Sequence, residues 1–543
     1  MKRMKLTLAG RIVVFVLIAA ILCGLGYTAV KFAPGLIENF GSDDLGNFTD
    51  NSNDGDNVPA DKGNNKNDKT DKVDKPDNQP PENDGDKAIN LSLDEWIGWK
   101  PIIDANGGLT TQPDSIFDKL GLTVNIRIVN DAEASSNALI KGDLNASGYT
   151  LNRTAFLSGK FSDAGLDVVM PVFTNYSNGG DGIIALSKIT SIEDLVGAKV
   201  GVPRYSEAQS LVIWFVNKSD LTDSQKKEII ENLILLEDAE QTGQAFFAGS
   251  LDVAATWEPY LTTAEESTNS HILFSTASSN KLIMDGILFR SDFAKANPEV
   301  VSSFIDGIFQ AADMYTAEFD YIRAVMPMFA GSSDEEIKEM CGQAGLMGYS
   351  RNVDALKSDC PTVYADMCSV WESIGETVNR DLANTLFDTS YVEALSDKYE
   401  TVGSDDGTFE VTDEQKEAVL DVGALLTKTC TLNFLPDTAK FLDNTEAAVI
   451  LNEFVEIAKT LDGTIIQIEG NINAVTASDG GIRLSEERAK TVMNYFVANG
   501  IDPNRIIVIG NGNSKMLVDP NSADAVQNRR TDVFFKSIEG TGA

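Results

Sequence analysis

Arg204, Tyr205 and Ser206 lie where a β-rich run from Val200 to Val202 is stopped by Pro203 and an apolar helical pattern begins. Ser206, with Gln209 three residues on, has the spacing of a capping box, and the first turn of a helix leaves N–H groups and a positive dipole end facing outward. Such an end can hold an anion or the polar end of a ligand; a serine there can also do no more than cap its own helix. The chemistry on offer is binding. Catalysis has little to work with, because His271 is the sole histidine, which removes most multi-histidine metal sites and makes a histidine-based triad a poor choice. The five cysteines, Cys23, Cys341, Cys360, Cys368 and Cys430, contain no C-x-x-C pair, which speaks against structural zinc. In an exported chain two of Cys341, Cys360 and Cys368 are near enough in sequence to be joined. No catalytic residue, metal or cofactor is expected.

The elements that would carry this turn belong to a long chain. At 543 residues it exceeds one ordinary core, and a formal net charge of −38 excludes a general nucleic-acid binder, which needs basic surface to displace phosphate counterions. Lys2, Arg3, Lys5 and Arg11 precede an uncharged apolar run from Ile12 to Val30, long enough to cross a bilayer. The sequence therefore predicts a cytoplasmic N-terminus (1–11) and a single-pass transmembrane anchor in the cytoplasmic membrane (12–30), with the rest outside the cytoplasm. Leu22, the bulky residue before Cys23, disfavours a lipoprotein signal. Residues 41–87, rich in Asp, Asn, Lys, Gly and Pro, read as a disordered acidic linker spanning roughly 35–40 Å.

From 88 to 400 short β-rich runs alternate with helical stretches, the pattern of an α/β domain. Within it occur, in order, Trp96-Ile97-Gly98-Trp99, the segments 138–146, 177–183 (Ser-Asn-Gly-Gly-Asp-Gly-Ile) and 191–202, and Ala254-Ala255-Thr256-Trp257-Glu258-Pro259-Tyr260. This series resembles the nitrate/sulfonate/taurine-type substrate-binding proteins of ABC importers. The resemblance implies a two-lobed periplasmic-binding-protein fold closing on a small organic molecule, with the second lobe over about 184–279 and an ABC permease as partner. It also implies a cleft at the strand ends, where α/β sheets take ligands. Trp99 would then form an apolar wall, and Arg204, Tyr205 and Ser206 the opposite one. Asp181 would hold a cationic group or cap a turn, with Trp257 and Glu258 beside the cleft and Asp285 where the chain returns to the first lobe. Residues 299–399 read as helical, with Val300, Phe304, Ile308 and Ala311 on one face, and the polar stretch 401–408 reads as a boundary.

The last domain, 409–543, begins with a helical run and 431–434, then alternates helices and strands as β-α-β-α-β-β. Ile468-Glu469-Gly470-Asn471, Leu484-Ser485-Glu486-Glu487-Arg488-Ala489 and Gln527-Asn528-Arg529-Arg530 give it a resemblance to the α+β OmpA C-terminal-like peptidoglycan-binding domain. That resemblance implies that Arg488, with Arg529 near the end, meets a carboxylate of the wall peptide, a geometry that suits guanidinium. The family's ligand-gripping Asp is Asn473 here, a neutral acceptor in place of a charge. The whole reads as a membrane-anchored extracytoplasmic solute-binding protein, for transport or sensing, that tethers to peptidoglycan. The alternative is a structural envelope protein with a repurposed binding lobe. An enzymatic reading, by analogy with related folds that make thiamine-type pyrimidines, is weakened by the lone His271.

Overall fold

Runs of β-branched and small apolar residues become strands buried on both faces, as parallel α/β sheets require. The structure is a computed structural model that describes residues 87–313, 319–400 and 411–537. The expected N-terminus, transmembrane anchor and boundary 401–408 lie outside the described residues, as does the expected linker apart from residue 87. Among the described residues no helix is long and apolar enough to cross a membrane.

In chain order the elements used below are β1 (Ile89–Leu93), β2 (Val124–Ile128), β3 (Ala146–Thr150), α1 (Leu151–Asp163), β4 (Val168–Ser177) and β5 (Asp181–Leu186). Next come β6 (Val200–Pro203), α2 (Glu207–Lys218), β7 (Ile234–Leu236), β8 (Val253–Trp257), α3 (Tyr260–Glu265), β9 (Ser270–Ser275) and β10 (Met284–Arg290). They are followed by α4 (Pro298–Asp313), β11 (Ala344–Leu346) and α5 (Cys360–Ser373), and in the last domain by β12 (Leu426–Cys430), α6 (Asn444–Thr460), β13 (Ile465–Asn471), α7 (Asp479–Ala498), β14 (Ile506–Gly512) and β15 (Thr531–Lys536).

Three sheets result among the described residues. The first lobe is built on the order β11-β4-β10-β3-β1-β2 and the second on β7-β6-β8-β5-β9. The chain passes between them twice, from β4 to β5 and from β9 back to β10, so the first lobe takes sequence from both sides of the second. Strand β10 runs antiparallel between β3 and β4, and its register sets Asp285 opposite both Thr150 and Asn175. In the second lobe Asp181, the first residue of β5, pairs with Trp257, the last of β8. Helix α4 buries Phe304, Ile308 and Ala311 as its periodicity requires, with Val300 at the margin.

Two elements differ from the sequence expectation. Strand β11 interrupts the stretch read as helical, because Gly345 lets the Tyr176 ring close in; a Cβ there would lie 2.1 Å from it. The first strand of the last domain is β12, not 431–434, since Leu426, Lys428 and Cys430 alternate inward against β15. The disulfide that the spacing allowed is not formed among the described residues: Cys341, Cys360, Cys368 and Cys430 are all outside disulfides. Cys360 and Cys368 lie on one helix, separated by about 12 Å at 1.5 Å per residue, beyond the reach of a bridge. Burial pushes the Cys368 thiol up to about 11, keeping it protonated and unreactive.

The last sheet, β12-β15-β13-β14, is mounted on the second lobe and on the return crossing. Lys428 of β12 pairs with Asp220 at 2.9 Å and donates to the Lys218 carbonyl, which ends α2. Ser279 donates to the Thr460 carbonyl at 2.6 Å, and the backbone N–H groups of Gly463 and Asn280 reach Ser278 and Asp462.

Candidate functional site

The site begins with a turn that cannot carry a larger residue. A Cβ on Gly98 would lie 2.3 Å from both Asn175 Oδ1 and Trp96 Nε1, so glycine allows the 96–99 turn to press against β4. Trp96 donates its indole N–H to Asn175 Oδ1 at 2.9 Å, and Asn175 returns an amide hydrogen to the Gly98 carbonyl. Trp99 is only 1% exposed and lies beneath this turn, not in a wall; its N–H donates to Asp94 at 2.6 Å. Asp94 is thereby held just past the end of β1, exposed to solvent. Desolvation raises its pKa, with Trp99 working against the shift.

Across the first sheet the polar row continues from Asn175 to Asp285 to Thr150. Thr150 also caps α1 and donates its hydroxyl to Glu207 Oε1 at 2.8 Å. Glu207 opens α2 of the second lobe and takes a two-pronged contact from Arg153 of α1, at 3.1 and 2.8 Å. The helix N-terminus expected to receive an anion thus already has one, the chain's own carboxylate. Burial opposes ionisation of Glu207, but Arg153 and the helix end hold it below the usual range.

Asp285 is 4% exposed and forms no ion pair among the described residues. The Trp96 N–H is close enough to act on it, but Asn175 receives that hydrogen. Burial, then the charges of Asp94, Glu207 and Asp181, push its pKa well above the ordinary carboxylate value. Asp181 sits on the crossing between lobes, with Ser177 Oγ donating to it at 2.7 Å and Thr276 bonded to both Ser177 and the Asp181 backbone. Burial pushes it up to about 7.

The remaining expected residues are placed as follows. Ser206 accepts from Gln209 N at 3.1 Å and donates to the Pro203 carbonyl, so its hydroxyl is committed to the cap; the Gln209 side chain accepts from Tyr205 N instead of closing the box on Ser206. Tyr205, at φ 53°, stacks on Phe156 with centroids 4.8 Å apart, and exposed Arg204 lies over its outer side. Trp257 is 46% exposed at the end of β8 beside Asp181. Glu258 accepts from Thr262 N and Oγ1, capping α3, with no basic partner among the described residues. Reading the sequence missed Asp94, Arg153, Asn175, Glu207 and Trp96. Glu207 carried the only local signal, as an acid directly after a cap.

In the last domain Arg488 lies over the Phe434 ring at 4.8 Å and donates to the Thr438 carbonyl. Burial and then Arg529 lower its pKa, while Asp437 opposes, so two guanidiniums share one neighbourhood. A depression of about 450 Å³ opens there, lined by Asp437, Gly480, Gly481, Arg483, Leu484 and Glu487. Asn473 is held by Asn528 and by the Pro520 carbonyl.

Residues 115–319 match the family described as NMT1/THI5 like, and residues 433–530 match the OmpA family. The chain is 32% identical over 89 residues to Outer membrane protein A of Bordetella avium, 16% of this chain and 46% of that protein. Over 207 residues it is 25% identical to a Brucella abortus protein named as a binding protein, 37% of this chain and 60% of that one. The chain thus spans about half the length of the curated relatives it matches. Among solved structures, the aliphatic sulphonate binding protein of Escherichia coli is 14% identical with a TM-score of 0.42, covering 56% of this chain and 99% of that one. The nitrate-binding protein of Synechocystis PCC 6803 is 8% identical with a TM-score of 0.41, covering 59% and 91%. The chain therefore carries an NMT1/THI5-like segment followed by an OmpA-family segment.

Proposed function

We propose that this is a cell-envelope solute-binding protein, which closes its two lobes on a small organic molecule and holds to peptidoglycan through the last domain. The observation that carries the reading is the meeting of polar side chains from both lobes at the crossing: Asp94 and Asp285 from the first, Glu207 from the second, and Asp181 between them. A group bridging these residues favours the closed arrangement over the open one, which is what a ligand-driven population shift requires. Delivery to an ABC permease or signalling to a partner would follow from closure. Anchoring by the segment 12–30 would keep the domain at the membrane.

For the wall, the Arg488 and Arg529 pair beside an open depression suits a peptide carboxylate. Asn473 engages neutral partners, so the grip rests on the guanidiniums.

Two measurements on the full chain test the two halves. Thermal melting across a panel of small organic solutes is expected to show a saturable rise for at least one class, since a tight ligand stabilises the folded state; a flat response throughout contradicts solute binding. Co-sedimentation with cell-wall sacculi is expected to retain the chain and to lose Arg488→Ala. Equal retention of both removes Arg488 from the wall site.

A further inference from the structure

We infer that the interlobe cleft selects a compact organic cation with N–H donors, a protonated amine or amidinium, which completes a site where Asp94, Asp181, Glu207 and Asp285 face one guanidinium, that of Arg153. The inference rests on the solute-binding reading above and specifies its ligand class.

Charge balance is the first support. The four carboxylates act on one another, Asp285 on Asp94, Glu207 and Asp181, and Asp94 on Glu207. Both side-chain hydrogen bonds of Arg153 go to Glu207, and Asp94 feels its charge without bonding to it. Arg204 is exposed and lies over Tyr205, and no ion pair joins it to these acids among the described residues.

A second support is geometric and concerns Asp285 alone. Asp285 is 96% buried (4% exposed) on the central strand β10, between Thr150 and Asn175, yet those neighbours direct their polar groups to Glu207 and Trp96. A carboxylate buried so deeply without a cation or a committed donor is costly, and a ligand ammonium would relieve it.

Size and shape narrow the cation. Among the described residues no three His, Cys, Asp or Glu side chains converge closely enough to hold a metal ion. Trp96 near Asp285 and exposed Trp257 beside Asp181 offer ring surfaces for the apolar body of a multi-atom cation. Anions are disfavoured by the same field, and the helix end that would have welcomed one is occupied by Glu207.

The test is isothermal titration of the full chain at pH 8 with agmatine, putrescine and histamine, against methanesulfonate, taurine and nitrate. At least one of the cations is expected to bind and the anions not to. Asp285→Asn and Asp94→Asn are each expected to weaken the bound cation about 100-fold, the scale of losing a buried charge partner, and thermal melting without ligand verifies that each variant is folded. Binding of an anion or of taurine with no response to any cation overturns this inference and leaves solute binding intact. Silence from all six probes counts against both. Cation binding unaffected by both substitutions places the ligand elsewhere and overturns the assignment.

Discussion

Two buried carboxylate groups in this chain are handled in opposite ways. In the last domain, Glu469 on β13 is 2% exposed and is fully answered: Lys515 reaches both oxygens at 2.9 and 2.7 Å, and Asn511 and Gln467 add amide hydrogens. Burial works against its ionisation, yet those partners hold its pKa below the ordinary value. Asp532 next to it has Arg530 at 3.0 Å. In the cleft, Asp285 is almost as buried and has no such partner, so its pKa moves the other way. Glu469 and Asp532 come with their cations; the acids at the crossing outnumber theirs. That difference separates a carboxylate answered within the chain from one that lacks such an answer.

Breaking the finished cluster should have the largest effect. Lys515→Met leaves Glu469 buried beside amides alone and is expected to cost about 2 kcal/mol, below the usual figure for a buried pair because Lys515 is half exposed; urea unfolding measures it. Gly98→Ala comes next, since its Cβ must displace Trp96 or Asn175; a loss of about 1–2 kcal/mol is expected, with weaker ligand binding. Ser206→Ala removes a cap and is expected to cost about 1 kcal/mol while leaving affinity nearly unchanged, because the hydroxyl is already committed to backbone groups. A large affinity loss in that variant would instead place Ser206 in contact with ligand.

The sequence carried the architecture well and the site only in part. Strand and helix order in the last domain followed from periodicity, and Asp181 and Asp285 were found because the crossings between lobes are marked by glycines and by the return of a β-rich run. The Arg153–Glu207 pair was not legible, since its members lie 54 residues apart and meet only once two helices from different lobes face each other. Trp96 and Trp99 were indistinguishable in sequence. The short turn between them decides which ring stays beside Asp285 and which is buried under Asp94. The cap at Ser206 was correct as a spacing, but its neighbour Glu207 holds the chemistry.

The melting midpoint of the unliganded full chain as a function of pH, compared with that of Asp285→Asn, tests whether the crossing between the lobes holds surplus carboxylate. A carboxylate whose pKa is raised on folding lends stability that is present below its unfolded value and is lost as pH rises through the folded one. The variant mimics the protonated form, so the two midpoints should agree near pH 4, and the variant should gain steadily toward pH 8, by a few degrees. Equal midpoints throughout, or a variant that melts lower at pH 8, would show that Asp285 is already satisfied within the chain and would contradict the account.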